Sequence, residues 1–249
     1  QAGSGPVEVG RDLFAALKAS KRFVEMSDGA FDPTVGPIVR LWRAARENQA
    51  MPDVDALVEA LDRVGFSLVR LDETNRTIEL AKPGMQLDLG GIGKGIAADA
   101  VATLLRERGI ESFLLDLGGD LLLGDPPPGT LGWTVRIDAT SEVLTLSRMA
   151  IATSGDAHQF VEIDGRRFSH IVNPRTGLGL THRLQVTVLA PDATSADALA
   201  SAVSVLGRER GAALLDAQFR TAGVIVGPNE EGDVIITRTG RFIALTQSR

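Results

Sequence analysis

The chain has 249 residues, 44% of them hydrophobic and 23% charged, with 26 basic against 32 acidic side chains and a net charge of −6. This is enough to bury a large core in one large domain or two small ones. The acidic balance and 4% aromatic content disfavour a nucleic-acid partner. No apolar run approaches the ~18 residues of a membrane span, and the absence of cysteine excludes disulfides, zinc-thiolate sites and thiol catalysis. The first residue is Gln1 and no signal peptide is visible, as expected of a chain whose leader has been removed or of a fragment.

The N-terminal third carries two helical stripes, Leu13, Phe14, Leu17 and Val24, then Leu57, Val58, Leu61 and Val64. Pro52 is expected to open the second helix and Gly65 to close it. Between them SDGAFDPTVGP (27–37) reads as a shaped loop, and residues 67–81 read as a hairpin turning at Asp72 to Asn75. A short apolar strand near 85–89 should run into a Gly-rich turn and then a helix, with Ala97, Ala100, Val101, Leu104 and Leu105 inward and Gly109 as its stop. The phrase LDLGG recurs at 115–119, too short a repeat to prove a duplicated fold. Residues 113–190 are strand-rich, with GDPPPG (124–129) as a loop and a hairpin at 159–172 turning on Asp164-Gly165. A helix from about Thr194 to Gly207 follows, then strands near 222–226, 233–237 and 242–246. The expected fold class is α+β, in one domain.

Three clusters are able to carry chemistry. Gly90, Gly91, Gly93 and Gly95 fail the dinucleotide fingerprint, because Gly91-x-Gly93-x-Gly95 lacks the two-residue gap. They fail the P-loop too, since Lys94 is followed by glycine. A tight strand-to-helix turn and a phosphate or metal approach to bare backbone are both open, and Lys94 is equally a solvated side chain or a phosphate contact. In the helix from Thr194, Asp197 and Ser201 lie one turn apart, on a face roughly opposite Leu199, Ala202, Val203 and Leu206. They are hard oxygen donors of the kind Mg²⁺ takes. Thr194-x-x-Asp197 also fits a capping box, so a helix cap is the competing role.

The third cluster is FSHIVNPRTG (168–177), with His170 at a strand end and a turn at Asn173 to Gly177. His158, His170 and His182 are the chain's histidines, and no two have metal-helix spacing. Upstream, ATSGDAHQF (152–160) places Ser154, Gly155 and Asp156 in a turn, without the Gly-x-Ser-x-Gly of a nucleophile elbow.

Taken in order, SDGAFDPTVGP, LDLGGIGKGIAAD, LLDLGGD, ATSGD, SHIVNPRTG and APDATSADALASAVSVLG resemble the ApbE family of flavin transferases in sequence and spacing from about residue 27 to 207. The resemblance implies an α+β fold of the ApbE or T-fold-like type. It implies Mg²⁺-dependent transfer of FMN from FAD, the substrate, to a Thr or Ser hydroxyl of a target protein, releasing AMP. The alternatives are an FAD pyrophosphatase giving FMN and AMP, and a non-catalytic FAD-binding protein.

The metal set carries over to Gly93 through its carbonyl, Asp197, and Ser201 in place of a threonine. FAD contacts carry over to Ala30, Phe31, Asp32, Gly90, Ile96 and Val172, with Lys94 and Arg175 as phosphate candidates. Ile96 stands where the family often has an aromatic ring. His170 is the candidate general base, with Asp156 or Asp32 as substitutes. The family also implies a periplasmic or membrane-anchored setting, as exported proteins and often lipoproteins, and an acceptor in a membrane redox complex. The N-terminal strand and Met-Gly-Thr segment usual in the family are expected to be missing from this chain.

Overall fold

The computed structural model describes residues 2–155, 159–229 and 231–247. The chain forms two compact units, one of Gln1–Gly90 with Asp156–Thr181, the other of Gly91–Gly155 with His182–Arg249.

In the first unit a three-stranded antiparallel sheet runs β1 (Val7–Glu8), β3 (Thr77–Leu80), β2 (Val69–Asp72). The β2–β3 turn is set as expected, with Asp72 accepting the amides of Thr74 and Asn75. Helix α1 (Arg11–Met26) lays Phe14 and Leu17 on this sheet against Phe66, Val69 and Ile78. A second core forms where α2 (Gly36–Asn48) and α3 (Val54–Leu61) meet the hairpin of β9 (Phe160–Ile163) and β10 (Arg166–Ser169). Trp42 is its centre, with its ring 5.0 Å from that of Phe168 and its indole N–H donated to the Gly177 carbonyl at 2.7 Å. Truncating such a buried ring costs about 3–5 kcal/mol. Asp53, not Pro52, caps α3 by accepting the Ala56 amide. Residues 85–89 form no strand, and Gln86 makes only an isolated bridge to Val35.

In the second unit a six-stranded antiparallel sheet has the order β13 (Val234–Arg238), β12 (Ala222–Pro228), β11 (Gln185–Ala190), β8 (Met149–Gly155), β5 (Asp120–Leu123), β4 (Leu114–Leu117). Alternation along the central strands assigns its two faces. Ile151, Leu189 and Val224 enter a core with the hairpin of β6 (Trp133–Ile137) and β7 (Glu142–Leu146) and with Phe242. The small residues between them, Ala150, Ala152 and Val188, face α5 (Ala193–Leu206), the most deeply buried helix of the unit. Helix α4 (Gly93–Glu107) packs on α5, and α6 (Arg208–Asp216) follows it.

The α+β class is as expected, and further local differences follow. The segment near 242–246 is helical, as α7 (Gly240–Gln247), since a short apolar run does not separate strand from helix by periodicity. Helix α6 was not anticipated. The inward face of α4 is Gly95, Ala98 and Ala102, while Ala97 and Ala100 are exposed and Val101 and Leu104 are 40% and 50% exposed. The reason is steric. A Cβ on Gly95 would lie 2.3 Å from the Ala193 carbonyl oxygen, so the α4–α5 approach admits only a small-residue stripe and rotates the larger side chains outward.

Candidate functional site

The chemistry-bearing residues of the second unit gather at the start of α4. Asp197 belongs to the body of α5, and the capping role open to it goes to Asp192, which accepts the Ser195 amide at 2.7 Å. Asp197 reaches out of its own helix instead, accepting the Gly95 amide at 3.0 Å. Its side chain is buried, at 6% exposure. Burial pushes its carboxyl above the usual carboxylate range, a push that the α4 amides and the Lys94 charge oppose and the Asp120 charge reinforces. Asp99, one turn beyond Gly95, accepts the amides of Ala193 and Thr194, both at 2.9 Å, and the Thr194 hydroxyl at 2.5 Å.

Lys94 turns its ammonium to Asp120, whose other oxygen accepts the Thr153 amide at 3.1 Å. Asp120 follows a hairpin turn of two glycines, Gly118 and Gly119, at φ +69° and +96°, where a side chain would be strained. Ser201 is half-buried one turn after Asp197, and Ile96 half-buried in the first turn of α4. Nothing stands within 4 Å of a Cβ built on Gly93.

These residues fit a divalent cation. A buried carboxylate that takes its hydrogen bonds from amides, not from a lysine or arginine, lacks a bound countercharge. The carboxylate and the hydroxyl one turn on are hard oxygen donors, which suit Mg²⁺ with waters retained. Among the described residues no three His, Cys, Asp or Glu side chains form a metal cluster.

The first unit holds the flavin-side candidates. Ala30 and Phe31 are buried, and Phe31 packs edge-on to Phe23 at 6.3 Å. Asp32 accepts the Thr34 amide and hydroxyl, at 2.8 and 2.6 Å, and the Phe66 amide at 3.0 Å. Its carboxylate is thus committed to joining two loops, with burial raising its pKa. The Val172 side chain lies in the Trp42 core. Gly90 donates its amide to Asp88 at 2.8 Å. Arg175 is pinned to Asp28, through the carbonyl at 2.6 Å and the carboxylate at 2.5 Å.

His170 places Nδ1 3.0 Å from the Gln159 carbonyl. A carbonyl only accepts, so in this contact Nδ1 is the donor. His182 meets the Ser204 carbonyl at 2.7 Å. Asp156 and His158 lie outside the described residues. Asp99, Asp120 and Asp192 were missed as site-shaping residues. Asp99 had a signal, since it follows Gly95 by four on the small-residue face of α4; Asp120 had one only in its position after a double glycine.

The chain matches the model of the ApbE family over residues 1–225. It is 41% identical to an FAD:protein FMN transferase of Treponema pallidum over 86% of this chain and 65% of that protein. It is 34% identical to an FAD:protein FMN transferase of Klebsiella pneumoniae over 97% and 76%. The chain thus spans just under two thirds of the first relative and about three quarters of the second. The solved flavin transferase ApbE from Vibrio cholerae superposes with a TM-score of 0.87 at 29% identity, covering 98% of this chain and 80% of that one.

Proposed function

Because this chain belongs to the ApbE family, we propose that it transfers FMN from FAD to a threonine or serine hydroxyl of a target protein, releasing AMP, with Mg²⁺ bound in the second unit. The observation that carries the reading is the Asp197 carboxylate, buried without a bound countercharge against the Gly-rich start of α4. The names of the aligned relatives support the flavin chemistry.

In this reading the Gly93 carbonyl, Asp197 and Ser201 hold the ion. When bound, it supplies charge neutralisation on the pyrophosphate and polarisation of the phosphorus under attack. The first amides of α4 add a positive field for phosphate oxygens, and Lys94 is a second phosphate contact if it leaves Asp120. In the first unit, Ala30, Phe31, Asp32, Gly90 and Val172 carry the flavin contacts that the family resemblance implies. His170 is the base that takes the proton of the acceptor hydroxyl in this reading. The resulting oxygen attacks the FMN phosphorus, a new P–O bond forms, and the bond to the bridging oxygen breaks with AMP carrying that oxygen away. An exported setting and an acceptor in a membrane redox complex complete the proposal, supported by family resemblance.

Incubation with FAD, Mg²⁺ and a domain bearing an acceptor threonine, read by mass spectrometry and AMP quantitation, tests the reading. An FMN-sized gain on the acceptor with matching AMP is expected. AMP with free FMN and an unlabelled competent acceptor would make the protein a pyrophosphatase, and no AMP at all would leave flavin binding alone.

A further inference from the structure

Helices α4 and α5 are joined by two struts that run in opposite directions. Asp197 of α5 meets Gly95 of α4, and Asp99 of α4 meets Ala193 and Thr194 of α5. On each helix the two attachment points are about one turn apart, so the struts close a ring. Asp99 completes the capping of α5 from another helix, taking first-turn amides that Asp192 leaves. Asp192 already caps α5 from within its own chain segment, taking both the amide and the hydroxyl of Ser195. Two first-turn amides of α5 are therefore given to the neighbouring helix.

Helix α4 begins at Gly93 and α5 carries Asp197 and Ser201, so the relative position of these helices sets the spacing of all three donors. We propose that Asp99 is a positioning residue for the divalent-ion site, fixing α5 along its axis against α4 so that Asp197 and Ser201 stay in register with the Gly93 carbonyl. The proposal rests on the metal reading above. Asp99 touches neither ion nor substrate in it. Its effect runs through helix placement, where sites tolerate displacements of only about 0.5 Å. Both Asp99 oxygens are occupied by backbone amides, so asparagine, which turns an NH₂ toward one of them, is an incomplete substitute.

The test is Mn²⁺ binding without FAD, followed by titration calorimetry or by loss of the free-ion EPR signal, with a thermal melt for each protein. Wild type, Asp99→Ala, Asp192→Ala and Asp197→Ala are compared. Asp192→Ala is the control, because it removes a cap from the same helix end without touching α4. Asp99→Ala should weaken Mn²⁺ binding about 10- to 100-fold, as for other partners that orient metal ligands. Asp192→Ala should leave it within about twofold at a similar loss of melting temperature. If Asp99→Ala does not fold, Asp99→Asn should show a smaller weakening in the same direction. Equal Mn²⁺ affinities in the Asp99 and Asp192 variants, with Asp197→Ala still defective, would overturn the positioning role alone. Wild type that does not bind Mn²⁺, or an Asp197→Ala variant that binds as wild type does, would overturn the metal reading and this proposal with it.

Discussion

Asp197 and Asp99 cap each other's helices. The first takes the Gly95 amide of α4 at 3.0 Å, and the second takes the Ala193 and Thr194 amides of α5 at 2.9 Å. A carboxylate at a helix N-terminus is stabilised by the amides it meets. Asp197 gains this at the cost of burial, and its raised pKa shows that burial outweighs the amides.

That balance predicts a pH dependence. A carboxyl whose pKa is higher in the folded than in the unfolded protein binds its proton more readily when folded, so its contribution to stability falls as pH rises through the interval between the two values. Without divalent metal, Asp197→Asn should therefore melt at or above wild type at neutral pH, and the gap should close on acidification toward the ordinary carboxylate range. Thermal melts in EDTA from pH 4 to 8 (~0.5 pH steps) check this. A variant destabilised at neutral pH by as much as it is in acid contradicts it.

Two glycines of one motif should differ in their response to alanine. Gly95→Ala puts a methyl 2.3 Å from the Ala193 carbonyl oxygen and should cost about 1–3 kcal/mol while weakening metal binding. Gly93→Ala meets nothing within 4 Å and should leave stability within about 0.5 kcal/mol. Denaturant midpoints at equal slope read both.

His170→Ala should lower flavin transfer about 10²- to 10⁴-fold while FAD binding stays within a few-fold, because the ring acts on the acceptor's proton. Rapid-quench AMP release and FAD titration separate the two effects, and a parallel loss of FAD affinity would make His170 a binding residue.

Arg175 and Asp28 form an exposed pair, at 56% and 78% side-chain exposure, so breaking it should change stability by less than about 1 kcal/mol. Activity divides the two roles. If Arg175 meets phosphate during turnover, Arg175→Ala raises the KM for FAD and Asp28→Ala does not. If Arg175 only pins its turn, the two variants behave alike.

The elements marked by turn chemistry were legible in the sequence. Asp164-Gly165, with both residues at positive φ, and the Asp72 turn fall where their residue types put them. The phase of α4 was not legible. Val101 and Leu104 look like core, and only the 2.3 Å approach at Gly95 explains why alanines face inward. Similarly, Thr194-x-x-Asp197 has the letters of a capping box, yet Asp192 is the cap and frees Asp197 for its neighbour. Which residue satisfies a helix end depends on a partner about a hundred positions away, and local spacing carries no record of it.

The proposed flavin transfer rests on a metal at Asp197. The most direct test is mass spectrometry of an acceptor domain after incubation with FAD and Mg²⁺, run side by side with wild type and Asp197→Ala. Wild type should give a single FMN-sized gain and matching AMP, abolished by EDTA and reduced at least about a hundredfold by Asp197→Ala. Labelling that proceeds undiminished in the variant or in EDTA would contradict it.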